Sequence, residues 1–198
     1  MAFPFLANAT WVDFVNTLVR AGGDDVDLLP DFDAVMRWAR EAGLLKPEEI
    51  AGIERSAPSQ AARNRLVEDT RSLRSALRGG AEALLAGRSP SQRLVRQINE
   101  LLAAYPMTSS LQRTGNRWTN QLQSVQVSEH SLLARIAADF AQSLASGDAD
   151  NLRACADEEC VLLFVDRSKN HTRRWCSMEI CGNRAKAAGR RARDRMSD

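Results

Sequence analysis

The sequence predicts an α+β fold, mainly α with one small β-hairpin. A helical domain, residues 1–148, is followed by a short cysteine-bearing module, residues 149–198. Three observations predict this. Apolar residues recur at helical spacing through most of the first 148 positions. One Gly-Asn pair, Gly115 and Asn116, is flanked by mixed polar and apolar residues and reads as a hairpin turn. All four cysteines lie after residue 154. Hydrophobic residues make up 44% of the 198, enough for a real core.

The elements follow in chain order. Val12, Phe14, Val15 and Leu18 share an apolar face, so the spacing predicts a helix over 11–19. "GGDDVDLLP" reads as a loop. Asp31 is the N-cap of a helix carrying Phe32, Val35, Met36 and Ala39, and Gly43 stops it. Pro47 suits the first turn of a short helix, "PEEIAGIERS". A long helix over about 60–85 carries Leu66, Leu73, Leu77, Leu84 and Leu85, with a kink or break expected at Gly79-Gly80. "SPSQRLVRQINELLAAYP" begins with a serine cap and reads as helix. The hairpin comes next, then a helix over about 128–144 that Gly147 ends. The helical domain is expected to have a core of its own.

No apolar run approaches the roughly 20 residues of a membrane-spanning helix. The first nineteen residues are apolar, but no basic segment precedes them and Asp13 interrupts them. They read as folded protein, and the expected compartment is the reducing cytoplasm, where structural disulfides are rare. The net charge of +2 hides an asymmetry. Residues 167–195 hold ten basic side chains against Glu179 and Asp194, so the stretch is +8 and the remainder −6. A basic tail on an acidic body suggests an anionic partner; a solvated terminus is the plainer alternative.

Cys155, Cys160, Cys176 and Cys181 form the pattern C-x4-C-x15-C-x4-C. Two pairs on two tight loops can deliver four sulfurs to one Zn²⁺, a metal that prefers tetrahedral thiolate sites. Disulfides fit secreted proteins better, and a redox pair is more often C-x-x-C. Four sulfurs close the coordination shell, so the metal is expected to hold structure and not to catalyse. Between the pairs, Val161–Val165 suits a strand, "DRSKN" a turn, and "HTRRW" a returning strand. Ser177 reads as the cap of a terminal basic helix. Gly182 would let the backbone approach the last sulfur. The order ligand loop, hairpin, ligand loop, helix is treble-clef-like.

The stretch "CADEECVLLFVDRSKNHTRRWCSMEICGNRAKAAGRRAR" resembles the CGNR zinc-finger family, named for the run Cys181, Gly182, Asn183, Arg184. The helical domain resembles the family's usual N-terminal partner, the ABATE domain, through the "DFVNT" run from Asp13 to Thr17. The resemblance implies a zinc-binding bacterial transcription regulator that acts on DNA.

On this reading Arg184, Lys186, Arg190, Arg191 and Arg193 of the terminal helix would meet phosphates or base edges. Lys169, Asn170, Arg173 and Arg174 of the hairpin would grip the backbone. One small module contacts few phosphates, which points to a homodimer. The competing reading is a ligand-binding or protein-interaction protein whose zinc module is purely structural. Trp11, Asp13, Asn16 and Thr17 could line a pocket for a small-molecule effector, Asp13, Asn16 and Thr17 sharing one helix face; bonding to neighbouring backbone is the alternative. No catalytic motif is found, and the chain is not expected to be an enzyme. His130 reads as a surface or capping residue, His171 as a hairpin residue.

Overall fold

The computed structural model describes residues 2–196, without the side chains of residues 21, 114, 121 and 191–196. The fold is α+β. Helix α1 spans Thr10–Val15, and a hairpin of β1 (Leu18–Ala21) and β2 (Asp24–Asp27) follows. Helices α2 (Phe32–Glu41), α3 (Pro47–Ser56), α4 (Gln60–Leu85) and α5 (Gln92–Ala104) come next. A second hairpin, β3 (Met107–Thr114) and β4 (Arg117–Ser124), leads to α6 (Ser131–Ala145). The third pair, β5 (Leu152–Ala154) and β6 (Leu163–Val165), belongs to the cysteine-bearing part, which ends in α7 (Asn183–Met196).

Local chemistry sets most of these boundaries. Asp31 accepts the N–H of Ala34 at 2.8 Å, and Ser59 and Ser91 accept those of Ala62 and Leu94 at 3.2 Å. At the start of α3, Glu49 accepts the N–H of Lys46 at 2.9 Å, with Pro47 in the first turn. Gly43 and Gly147 leave α2 and α6 with φ of 67° and 78°.

Three expectations are corrected. The first helix stops at Val15, and residues 18–27 are a hairpin where a helix end and a loop were expected. Its turn is Gly22-Gly23 with φ of 63° and 96°, the positive values that a two-residue hairpin turn needs. Helix α4 runs unbroken through Gly79-Gly80. A Cβ on Gly80 would lie 2.5 Å from Cδ2 of Leu94, so that glycine is where α5 comes close to α4. Last, β6 pairs with Leu152–Ala154 upstream, and residues 171–175 form no strand.

The core is continuous across both parts of the chain. Trp11, Phe14, Trp38, Leu77, Ile136 and Phe140 are buried with Leu163, Phe164, Val165, Cys176 and Cys181 in one cluster. The expectation of a separate core for the helical domain is therefore corrected. Strand β6 is too short and too apolar to stand alone; it completes the packing surface of α1.

Candidate metal centre

Four sulfurs converge at the end of the chain. Cys155 and Cys160 stand on the loop between β5 and β6, Cys176 and Cys181 on the approach to α7. All four Sγ atoms lie within 4.8 Å of one another, with Cys160–Cys176 at 3.7 Å and Cys176–Cys181 at 3.6 Å. A tetrahedron with metal–sulfur bonds of about 2.3 Å has edges of about 3.8 Å. The site thus has the size and the donor chemistry of a four-cysteine zinc centre, and the chain holds one structural Zn²⁺ there. The ion joins the two ligand loops and leaves no open position for a reacting water.

The four thiols perturb one another's ionisation. A hydrogen bond from Cys176, aided by Cys155 and Cys181, lowers the Cys160 thiol to about 5. That bond, followed by burial and the negative charge of its neighbours, drives the Cys176 thiol far upward. Burial first, and then the same charges, push Cys181 up to about 12. Four thiolates in this space repel one another strongly, and a dication offsets half of their charge.

Short-range bonds shape each loop. The N–H of Cys176 points at Sγ of Cys155 at 3.4 Å. The loop of Cys155 is tied to that of Cys176 by the N–H of Ala156 on the carbonyl of Arg174 at 2.8 Å. Ser177 accepts the N–H of Ile180 at 3.3 Å and opens one π-helical turn, Met178–Gly182, that runs into α7. A Cβ on Gly182 would lie 2.5 Å from Sδ of Met178. The glycine makes room for that thioether.

Two of the arginines expected to meet DNA make bonds within the module, Arg173 half-buried and Arg184 exposed. Arg173 donates to the carbonyls of Trp175 at 2.9 Å, Leu6 at 3.0 Å and Cys176, with its guanidinium 4.3 Å above the Phe164 ring. It staples the N-terminal segment to a ligand loop. Arg184 pairs with Glu159 at 2.7 Å and with Asp157 at 3.3 Å. Both acids lie between Cys155 and Cys160, so Arg184 braces the first ligand loop. Its charge is well held: the hydrogen bond to Glu159 raises its pKa further. The sequence signal for this brace was the "DEE" run between the first two cysteines.

The other described positions expected to meet DNA are on the surface too. Lys169, Asn170, Arg174, Lys186 and Arg190 are exposed. The turn that carries Lys169 and Asn170 is built around buried Asp166, a residue the sequence reasoning missed. Its carboxylate accepts the N–H groups of Ser168 and Arg173, both at 2.9 Å, and His171 closes the turn with a φ of 49°. Burial works to raise the Asp166 carboxyl, but these bonds outweigh it and hold it below the usual range. The side chains of Arg191 and Arg193 lie outside the described residues.

Of the residues expected to line a pocket, Asp13, Asn16 and Thr17 are spent on internal bonds, and Trp11 is buried with no partner for its Nε1–H among the described residues. Asn16 is wholly buried. Its Nδ2 donates to the carbonyl of Leu163 at 2.8 Å, and its Oδ1 accepts the N–H of Leu163 at 2.9 Å. One amide thereby replaces a missing strand along the free edge of β6. Val165 completes that edge: its N–H donates to the carbonyl of Ala7 at 2.8 Å, and its own carbonyl accepts from Asn8 at 3.0 Å. Asp13 accepts the N–H groups of Leu6 and Ala7 at 2.9 Å. Thr17 donates to the carbonyl of Phe14 at 2.7 Å and accepts from buried Arg74 at 2.9 Å. Trp11 packs edge-on against Phe140, ring centroids 5.1 Å apart. His130 bonds Asp69 at 2.9 Å and stacks on Tyr105.

A helical body clipped to a four-cysteine centre with a basic terminal helix defines a small zinc-module protein. The family model for ABATE, described as "Putative stress-induced transcription regulator", matches residues 8–147, and the chain belongs to that family. The model for the CGNR zinc finger matches residues 151–194. No curated protein matches the chain. Among the described residues, no helix is long and apolar enough to cross a membrane.

Proposed function

We propose that the chain is a bacterial, cytoplasmic transcription regulator that binds DNA through its zinc module and is not an enzyme. The observation that carries this reading is the division of labour among the module's cations. Arg173 and Arg184 bond the ligand loops, Arg184 from an exposed position, whereas Lys169, Arg174, Lys186 and Arg190 are exposed and in no ion pair among the described residues. An internally braced module with cations left over is suited to phosphate contacts that position it on a duplex. Few such contacts fit on one module, so two chains act together, and the helical body pairs them or receives a signal.

The test is the salt dependence of binding to a labelled duplex. Each phosphate contact adds about 0.9 to the log–log slope. Replacing both Lys186 and Arg190 by Ala lowers the slope by up to about 1.8. An unchanged slope removes α7 from the interface.

The second reading keeps the zinc module purely structural, in a protein that binds a ligand or another protein. The burial of β6 in the shared core favours it. On that reading duplex affinity is weak, and insensitive to both substitutions.

A further inference from the structure

The β3–β4 hairpin has long free edges and an exposed apolar face. Each strand is eight residues long, and the register is unbroken from Met107↔Ser124 to Thr114↔Arg117. A lone two-stranded ribbon is marginal in water, and further strands stabilise it. Free edges are commonly guarded by lysine, proline or a bulge. Strand β4 has none of the three. Among the described residues, its backbone bonds to no element but β3. Alternation puts Trp118, Asn120 and Leu122 on one face, with Leu111 directly across from Asn120. That face is open: Leu111 is 69% exposed, Trp118 61% and Leu122 46%.

A cleft of about 860 Å³ runs beside β4. Asn120 and Leu122 line it from the strand, Leu44 and Leu102 from the helical body, and among the described residues β3 lends it no wall. Open space therefore lies on the free side of β4. The charged groups around the cleft, Lys46, Arg135, Glu49 and Asp139, sum to zero. Strand β4 carries no charge from Trp118 to Ser124. An uncharged strand beside a net-neutral, partly apolar cleft is matched by another uncharged strand with an apolar side chain to lay over it. A second copy brings exactly that strand, and antiparallel pairing about a twofold axis is self-complementary.

We infer that β4 pairs with β4 of a second copy, antiparallel about a twofold axis at Asn120, to make a four-stranded sheet. In that register Trp118 of each chain lies opposite Leu122 of the other, on the side of the cleft. Asn120 meets its own copy, and Arg117 stands opposite Gln123, so no like charges are opposed. A slip of one residue would set the apolar face of one hairpin beside the polar face of the other. The interface supplies the pairing of two chains that the proposed function calls for, and it does not depend on DNA binding.

The test uses the full-length, zinc-loaded protein. Sedimentation velocity from low to high micromolar concentration shows a monomer–dimer equilibrium. Trp118→Glu, at an exposed position, weakens the dimer at least tenfold, while the circular dichroism spectrum stays that of the parent. Mild oxidation of Asn120→Cys gives a disulfide-linked dimer, because residues opposed on the axis lie within disulfide reach. Gln112→Cys, on β3, and the parent give none. A monomer at every concentration leaves the face to a different partner and overturns the inference. So does a dimer whose affinity Trp118→Glu leaves within twofold, or an Asn120→Cys variant that crosslinks no faster than Gln112→Cys. The crosslink decides the matter even if the glutamate variant does not fold.

Discussion

Asp13 is a carboxylate enclosed at the junction of the N-terminal segment and α1. Burial, set against the N–H bonds of Ala7 and Leu6, raises its pKa from 3.8 to about 6. A raised carboxyl pKa in the folded state contributes stability below the unfolded value, and that contribution is lost as pH rises through about 6. The full swing is at most about 3 kcal/mol. Asp13→Asn keeps an acceptor oxygen but cannot ionise. The variant should therefore gain stability relative to the parent at pH 8 and lose that advantage at pH 4, as read by thermal melts at both values. Equal differences at both pH values would contradict the assignment. At this scale residue types were legible in the sequence and their targets were not. The helical spacing of Asp13, Asn16 and Thr17 was visible, but their partners lie on other elements: Asn16 bonds a strand 147 positions away. The four sulfurs were legible because cysteines at matched spacing have few alternative uses. Arg184 was not, because charge alone does not separate a brace from a DNA contact.

The elements were legible where apolar period and capping residue agree, as at α2, α4 and α5. They were misread where glycine carried two meanings. Gly22-Gly23 makes a hairpin turn, and Gly79-Gly80 makes no break at all. The second pair gives a direct test. Gly79 faces open space, and Ala there should stabilise by up to about 1 kcal/mol through helix propensity. Gly80 lies under Leu94, and Ala there should destabilise by about 1–3 kcal/mol through overpacking. Opposite signs in urea melts are the expected outcome; two stabilising changes would mean that α4 and α5 are not in close contact there. The strand partner of β6 was missed for a related reason. "HTRRW" was read as a returning strand, yet its backbone is claimed by Asp166 and by Ala156.

Across the whole molecule, the metal centre and the helical body share one buried core. Leu163, Phe164 and Val165 follow the first two cysteines and are buried against α1, Asn16 secures their edge, and Arg78 of α4 donates to the carbonyl of Val161 at 3.0 Å. Loss of zinc should therefore lower the melting temperature of the entire chain in a single transition. A body that melts at an unchanged temperature after chelation would show that the two parts fold independently. No local pattern in the sequence announces this coupling, because it rests on backbone groups of β6 that any residue would supply.

Whether the zinc-ordered module is the DNA-binding surface is decided by selection from a random duplex pool. The purified full-length protein is used twice, once with its zinc and once after the metal has been removed by a chelator. The metal-loaded protein should enrich a defined sequence, and the stripped protein should enrich none. Failure of the zinc-loaded protein to enrich any sequence, or identical enrichment after the metal has been removed, would contradict that role for the module.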